Sequence, residues 1–225
     1  MSSFGNKDLF FFYQNQEPEV TSTTVNWRIY NLIQQGVISR IGKGKFQLGK
    51  KKEYVPELSG KLIKGYKVLK KQYPFLSVCV WNSSLLNEFM LHQPYKFYFL
   101  AEVEKDALES VFYFLKDQKY TAFLEPTEEI LSRYADDDKD IWIVKSLVSE
   151  APTQQVNHVE TTSIEKILVD IFCDDKIFTA QQGAEMRTIF REAKVKYTIN
   201  ESKMLRYADR RSKKKELTEY LKTII

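Results

Sequence analysis

The residue types that most often carry chemistry are sparse in this chain of 225 residues, which holds two histidines and two cysteines. His92 and His158 stand far apart with no other His or Cys at ligand spacing, so each reads as a loop residue rather than a catalytic base or zinc ligand. Cys79 falls in an apolar run and Cys173 at the end of a helical pattern. Both read as buried free thiols, which suits a reducing compartment. The run Asp136-Asp137-Asp138-Lys139-Asp140 has carboxylates enough for a metal ion, but no second acidic cluster follows at a fixed offset, and a solvated turn is expected. A nuclease would pair an acid with a Glu-x-Lys triplet on the next strand, and Glu102-Val103-Glu104-Lys105 holds both residue types without that spacing. A nucleotidyltransferase would need a Gly-Ser turn followed by two aspartates at one-residue spacing. That pattern is absent, as are Gly-x-Ser-x-Gly and Gly-x-x-x-x-Gly-Lys-Ser/Thr. The expectation is a protein without catalytic residues, metal or cofactor.

What the sequence does concentrate, between residues 20 and 48, is hydrogen-bonding and cationic side chains. Thr23, Asn26, Trp27, Tyr30 and Asn31 could face base edges in a major groove, and Arg40, Lys43 and Lys45 could hold phosphates. Positioning them takes a helix and a hairpin. Thr21 supplies an N-cap, Val20 and Val25 a hydrophobic staple, and Gly36 the left-handed residue that ends the helix. Val25, Ile29, Leu32 and Ile33 recur on one face and should pack on a core, leaving the polar and aromatic face outward. Arg28 flanks the apolar face, which directs it to backbone phosphate rather than to a base. Val37-Ile38-Ser39-Arg40-Ile41, the turn Gly42-Lys43-Gly44 and Lys45-Phe46-Gln47-Leu48 then read as a hairpin with a basic tip. Helix and hairpin together make a winged helix; the competing reading is a helix and hairpin that merely pack on the next domain.

Two segments carry a resemblance. Trp27-Arg28-Ile29-Tyr30-Asn31-Leu32, followed by Gly36 through Leu48, resembles the N-terminal winged helix of AbiEi-type antitoxins from type IV toxin–antitoxin (abortive infection) systems. Ser163-Ile164-Glu165-Lys166-Ile167-Leu168-Val169-Asp170 is similar to a helix of the same proteins. The resemblance implies a bacterial regulator that represses its own operon and opposes a nucleotidyltransferase-like toxin. It favours opposition without direct contact.

The remaining chain bounds that reading. A hydrophobic fraction of 43%, with aromatics at 14%, can fill a sizeable core. No apolar run approaches the roughly 18 residues of a membrane span and the first residues lack a signal peptide, so a cytoplasmic protein without a membrane partner is expected. The net charge of +4 is uneven: residues 1–52 carry +5, residues 201–225 carry +4, and the middle carries −5. A winged helix-turn-helix domain is assigned to 1–52, with Asp8 to Tyr13 as a short buried support helix, and an α/β domain with a helical C-terminal end to 53–225. Lys50, Lys51 and Lys52 sit in the linker, either facing phosphate or keeping it solvated. Strands are expected at 76–81, as a central strand, and at 96–103, 120–124 and 141–144, separated by helices, which makes the fold class α/β (α+β). Ser149 to Thr161 reads as a polar loop, and Thr162 with Glu165 as a capping box.

Near the C-terminus, Arg206, Arg210, Arg211, Lys213, Lys214 and Lys215 form either an antitoxin or RNA-contacting surface or a solvated helix face. Three functions fit these features. The first is a DNA-binding autoregulator and antitoxin, with double-stranded DNA of its own promoter as partner and a toxin opposed functionally if not by contact. The second is a stand-alone winged-helix transcription factor whose α/β domain senses a ligand or protein. The third is a cryptic enzyme delivered by a winged helix.

Overall fold

The computed structural model describes residues 3–35, 37–49, 52–134 and 140–224. Gly36 as the helix stop, Lys50 and Lys51 of the linker, and the acidic run 135–139 lie outside the described residues.

The N-terminal unit runs β1 (Ser3–Gly5), α1 (Asn6–Gln16), α2 (Ser22–Gln34), β2 (Ile38–Gly42) and β3 (Lys45–Leu48). Its strands form an antiparallel sheet in the order β1-β3-β2. Thr21 starts α2 as expected, its Oγ1 accepting from the Thr24 N–H at 3.2 Å. Val25 and Ile29 then meet Ile38 and Phe46 in a small core, with Leu32 and Ile33 at its margin. β1 was not foreseen, and α1 departs from the buried support helix expected. Leu9, Phe10 and Tyr13 lean on the core, while Phe11 and Phe12 are 60% and 55% exposed. Consecutive aromatics turn by about 100° per residue on a helix, so Phe10, Phe11 and Phe12 cannot share one buried face.

The second unit comprises α3 (Gly60–Gln72), β4 (Val78–Asn82), β5 (Tyr98–Val103), α4 (Leu108–Asp117), β6 (Thr121–Leu124), α5 (Glu128–Tyr134), β7 (Ile141–Ser146), β8 (Thr153–Val156), β9 (Val159–Thr162), α6 (Ile164–Cys173), α7 (Ala184–Lys196), α8 (Glu201–Arg210) and α9 (Lys214–Lys222). Its main sheet is mixed, in the order β4-β5-β7-β6, with β4 antiparallel to β5 and the other three parallel. The fold class is therefore α/β.

Strand alternation distributes two cores. Val78, Val80, Phe99, Ala101 and Val103 meet α3 and α4 on one face; Cys79, Trp81 and Leu100 meet α6 to α8 on the other. β4 occupies the edge of the sheet rather than its centre. Its unbroken apolar run reports burial on both faces, and β9 lies against it. Gly65 permits α3 to approach β7 closely, since a Cβ built there would stand 2.3 Å from the Trp142 ring.

The segment expected as a polar loop is instead the hairpin β8–β9, paired from Thr153↔Thr162 to Val156↔Val159. Asn157 and His158 form its turn with φ of 50° and 63°, a conformation Asn and His tolerate better than most residues. Because β9 runs through Thr162, the cap of α6 moves on by one residue. Ser163 Oγ accepts from the Lys166 N–H at 3.3 Å, and Glu165 turns instead to α8, accepting at 2.9 Å from the backbone N–H of its cap residue Asn200. No helix of the described residues is long and apolar enough to cross a membrane.

Candidate nucleic-acid interface

The outer face of α2 carries Thr23, Asn26, Trp27 and Tyr30 into solvent, with Asn31 half-buried beside them. Trp27 is 65% exposed and Tyr30 59%. Leaving two large aromatics in water is unfavourable for folding alone. The helix that presents them is fixed by its Thr21 cap and by Val25 and Ile29. Arg28 does not join this face. Its Nη2 donates to Glu17 Oε2 at 2.8 Å and its guanidinium lies 4.8 Å from the Tyr13 ring centroid. It ties α2 to the end of α1. Both partners precede the α1–α2 turn, so reach through the turn decides its direction.

The hairpin divides its cations. Lys43 and Lys45 are exposed, whereas Arg40 stacks 5.6 Å over Phe46, on the cross-strand neighbour to which it is paired. Its tip is not free. The Lys43 backbone N–H donates to Ser202 Oγ of α8 at 3.3 Å, and a Cβ on Gly42 would stand 2.8 Å from that oxygen. The linker adds a bridge between Lys52 and Tyr197, with the Thr198 N–H donating to the Lys52 carbonyl at 3.2 Å. The hairpin thus packs on the second unit through its backbone while presenting two lysine side chains outward.

The C-terminal cations do not form one open patch. Arg206 and Arg210 both pair with Glu150, Lys213 lies 3.3 Å from Glu216, and Lys214 lies 3.2 Å from Asp209. Lys215 is exposed, but Arg211 turns inward, donating from Nη1 to Asp170 Oδ1 at 2.7 Å and from Nη2 to Asp174. The solvated helix face is the reading this geometry favours for Arg206, Arg210, Lys213 and Lys214, and Arg211 leaves the cluster.

Arg211 belongs to a buried polar network that sequence reasoning missed. Lys166 Nζ lies 2.5 Å from both Glu102 Oε1 and Asp170 Oδ2, with all three side chains sealed from solvent. The Trp81 indole N–H donates to the same Glu102 oxygen at 2.6 Å, the Tyr207 hydroxyl donates to Asp170 at 2.8 Å, and Lys145 pairs with Asp174. Burial pushes the Asp170 carboxyl up, but Lys166, Lys145 and Arg211 outweigh it and hold it at about 2. Burial works against the Lys166 ammonium too, and Asp170 and Glu102 overcome it, raising its pKa. The spacing of Lys166 and Asp170 at i and i+4 on a mostly apolar helix was the available signal. Of the Glu102-to-Lys105 segment, Glu102 is enclosed, Glu104 accepts from the Ser77 N–H and Lys105 is exposed, so they do not converge on a reactive centre. His92 pairs with Glu185 at 2.8 Å on the surface, and Cys79 and Cys173 are free thiols, buried and half-buried. No three His, Cys, Asp or Glu side chains among the described residues are grouped to hold a metal ion.

Fold and surface define a two-part α/β protein in which a helix and hairpin module is docked on α8 of a larger unit built around a mixed sheet. The chain belongs to DUF6577, a family of unknown function, whose family model matches residues 24–225. The match begins within α2 and spans both units. No curated protein matches the chain.

Proposed function

We propose that this protein is a bacterial, cytoplasmic DNA-binding autoregulator and antitoxin that opposes a nucleotidyltransferase-like toxin, itself catalysing no reaction. The observation that carries the DNA reading is the exposure of Trp27 and Tyr30 beside Asn26 on a capped, core-anchored helix. Asn suits bidentate pairing to adenine, the aromatics supply apolar contact with a thymine methyl or sugar, and Lys43 and Lys45 supply phosphate contacts. The antitoxin reading is supported by the resemblance to AbiEi-type proteins, which favours opposition without contact.

The test is binding to the protein's own promoter across a salt series. Asn26→Ala/Trp27→Ala is expected to remove sequence preference, at about 1–3 kcal/mol for each base no longer read. Lys43→Ala/Lys45→Ala is expected to weaken all DNA and lower the salt slope by about two. Wild-type protein with no preference for that promoter would overturn the reading.

A further inference from the structure

The two units meet across a cleft of about 860 Å³ whose walls come from β2, the linker, β8 and the starts of α6 and α8. Three cations from three separate elements line it: Arg40 on β2, Lys52 in the linker and Lys203 on α8. None of the three is in an ion pair among the described residues. The cleft also has two acids, Glu53 and Glu165, of which Glu165 already accepts from the Asn200 N–H.

The polar groups between the cations have spare donors. Asn200 uses its Oδ1 to accept from the Lys203 N–H at 3.1 Å, which leaves its amide N–H groups for a ligand. Ser39 accepts from Gln47 Nε2 at 3.1 Å and Ser163 from the Lys166 N–H at 3.3 Å, so each keeps its own hydroxyl proton. The helix starts themselves are closed by these caps and contribute only their field. A concave site of this size, with three cations against two carboxylates and several spare donors, is complementary to a compact anion with many acceptor oxygens.

We infer that this cleft binds a small phosphate-bearing ligand, held by Arg40, Lys52 and Lys203. Such a ligand touches both units at once and stabilises their junction by mass action. The site is independent of DNA recognition by α2 and is tested without DNA.

The probe is inorganic pyrophosphate, titrated calorimetrically into the full chain. Saturable binding at one site is expected, weakened at least about tenfold by Arg40→Gln/Lys52→Gln/Lys203→Gln. Removing equal charge from the exposed face of α3, with Lys64→Gln/Lys67→Gln/Lys71→Gln, is expected to change affinity less than about twofold, because screening limits remote charges. Lys52→Gln/Lys203→Gln keeps the contact of Arg40 with Phe46, so an intermediate loss there shows that the effect is not misfolding. Absent saturation, or equal loss in both triple variants, overturns the site. Displacement of pyrophosphate by one equivalent of duplex DNA also overturns it, and assigns the three cations to the DNA backbone.

Discussion

Lys166 Nζ and Glu102 Oε1 lie 2.5 Å apart with neither side chain reached by solvent, joining α6 to β5 through the interior of the second unit. Two charges so placed are costly to desolvate. Asp170, itself held by Tyr207 and Arg211, is the second partner of Lys166, and the Trp81 indole N–H donates to Glu102 Oε1, while Glu102 Oε2 has no hydrogen-bond partner among the described residues. This explains the sequence from Ser163 to Asp170 in physical terms: Ser163 caps α6, Glu165 holds the backbone N–H of Asn200 at the start of α8, and Lys166 and Asp170 lock both helices to the sheet.

Replacing Lys166 by Met leaves two carboxylates buried without their shared cation, and is expected to cost about 3–5 kcal/mol. Urea unfolding measures this directly. The exposed Lys64→Met serves as reference, and a midpoint for Lys166→Met no lower than that of Lys64→Met would remove the network from any role in stability. Adding Glu102→Gln to Lys166→Met should recover part of the loss, since it removes the carboxylate left without a cation, whereas Asp170 keeps Arg211.

Asp170 makes stability depend on acidity in a defined direction. Its carboxyl is held at about 2 against an ordinary 3.8, so the unfolded chain takes the proton first. The resulting stabilisation, on the order of 2 kcal/mol, is fully present above about pH 4 and is lost as pH falls toward 2. Unfolding free energy measured across that window should therefore decline with acid, and Asp170→Asn should flatten the decline. An unchanged slope in the variant would assign it to other carboxylates.

Gly65 and Trp142 give a prediction about packing. A methyl group at Gly65 would overlap the Trp142 ring, which is itself stacked on Phe99 and edge-on to Tyr120. With ring neighbours on other sides, Gly65→Ala is expected to destabilise by about 1–3 kcal/mol despite the better helix propensity of Ala. Gly60→Ala, at the exposed start of the same helix with no atom near its added Cβ, is the control. Equal melting temperatures for the two variants would refute the close approach.

Much of this architecture was legible in the sequence, and the exceptions have specific causes. Periodicity located α2 and the strands β5, β6 and β7, because each has one face or two that must leave water. It misplaced β4 because an edge strand covered by helices on both faces and flanked by a hairpin has the same unbroken apolar run as a central one. β8 and β9 escaped because Gln154, Gln155 and Glu160 mask the alternation, although Asn157-His158 is a turn signal. For the candidate interface, exposure of Thr23, Asn26, Trp27 and Tyr30 followed from helix geometry alone. The directions taken by Arg28 and Arg211 did not, since their partners depend on a turn and on a tertiary contact.

The docked hairpin tip supports a prediction of non-additivity. Ser202→Ala removes the acceptor of the Lys43 N–H and is expected to cost about 1 kcal/mol. Gly42→Ala alone should cost a similar amount, because its methyl would stand 2.8 Å from Ser202 Oγ and rotation of that hydroxyl breaks the same bond. Once the hydroxyl is absent, the methyl meets no obstacle there, so the double variant should cost no more than Ser202→Ala, a coupling of about 1 kcal/mol. Hydrogen exchange at the Lys43 amide separates this from a general loss of stability. Exchange there should quicken in all three variants while the amides of α6 keep their protection, whereas additive costs with uniform quickening would mean that the hairpin and α8 are not joined through this bond.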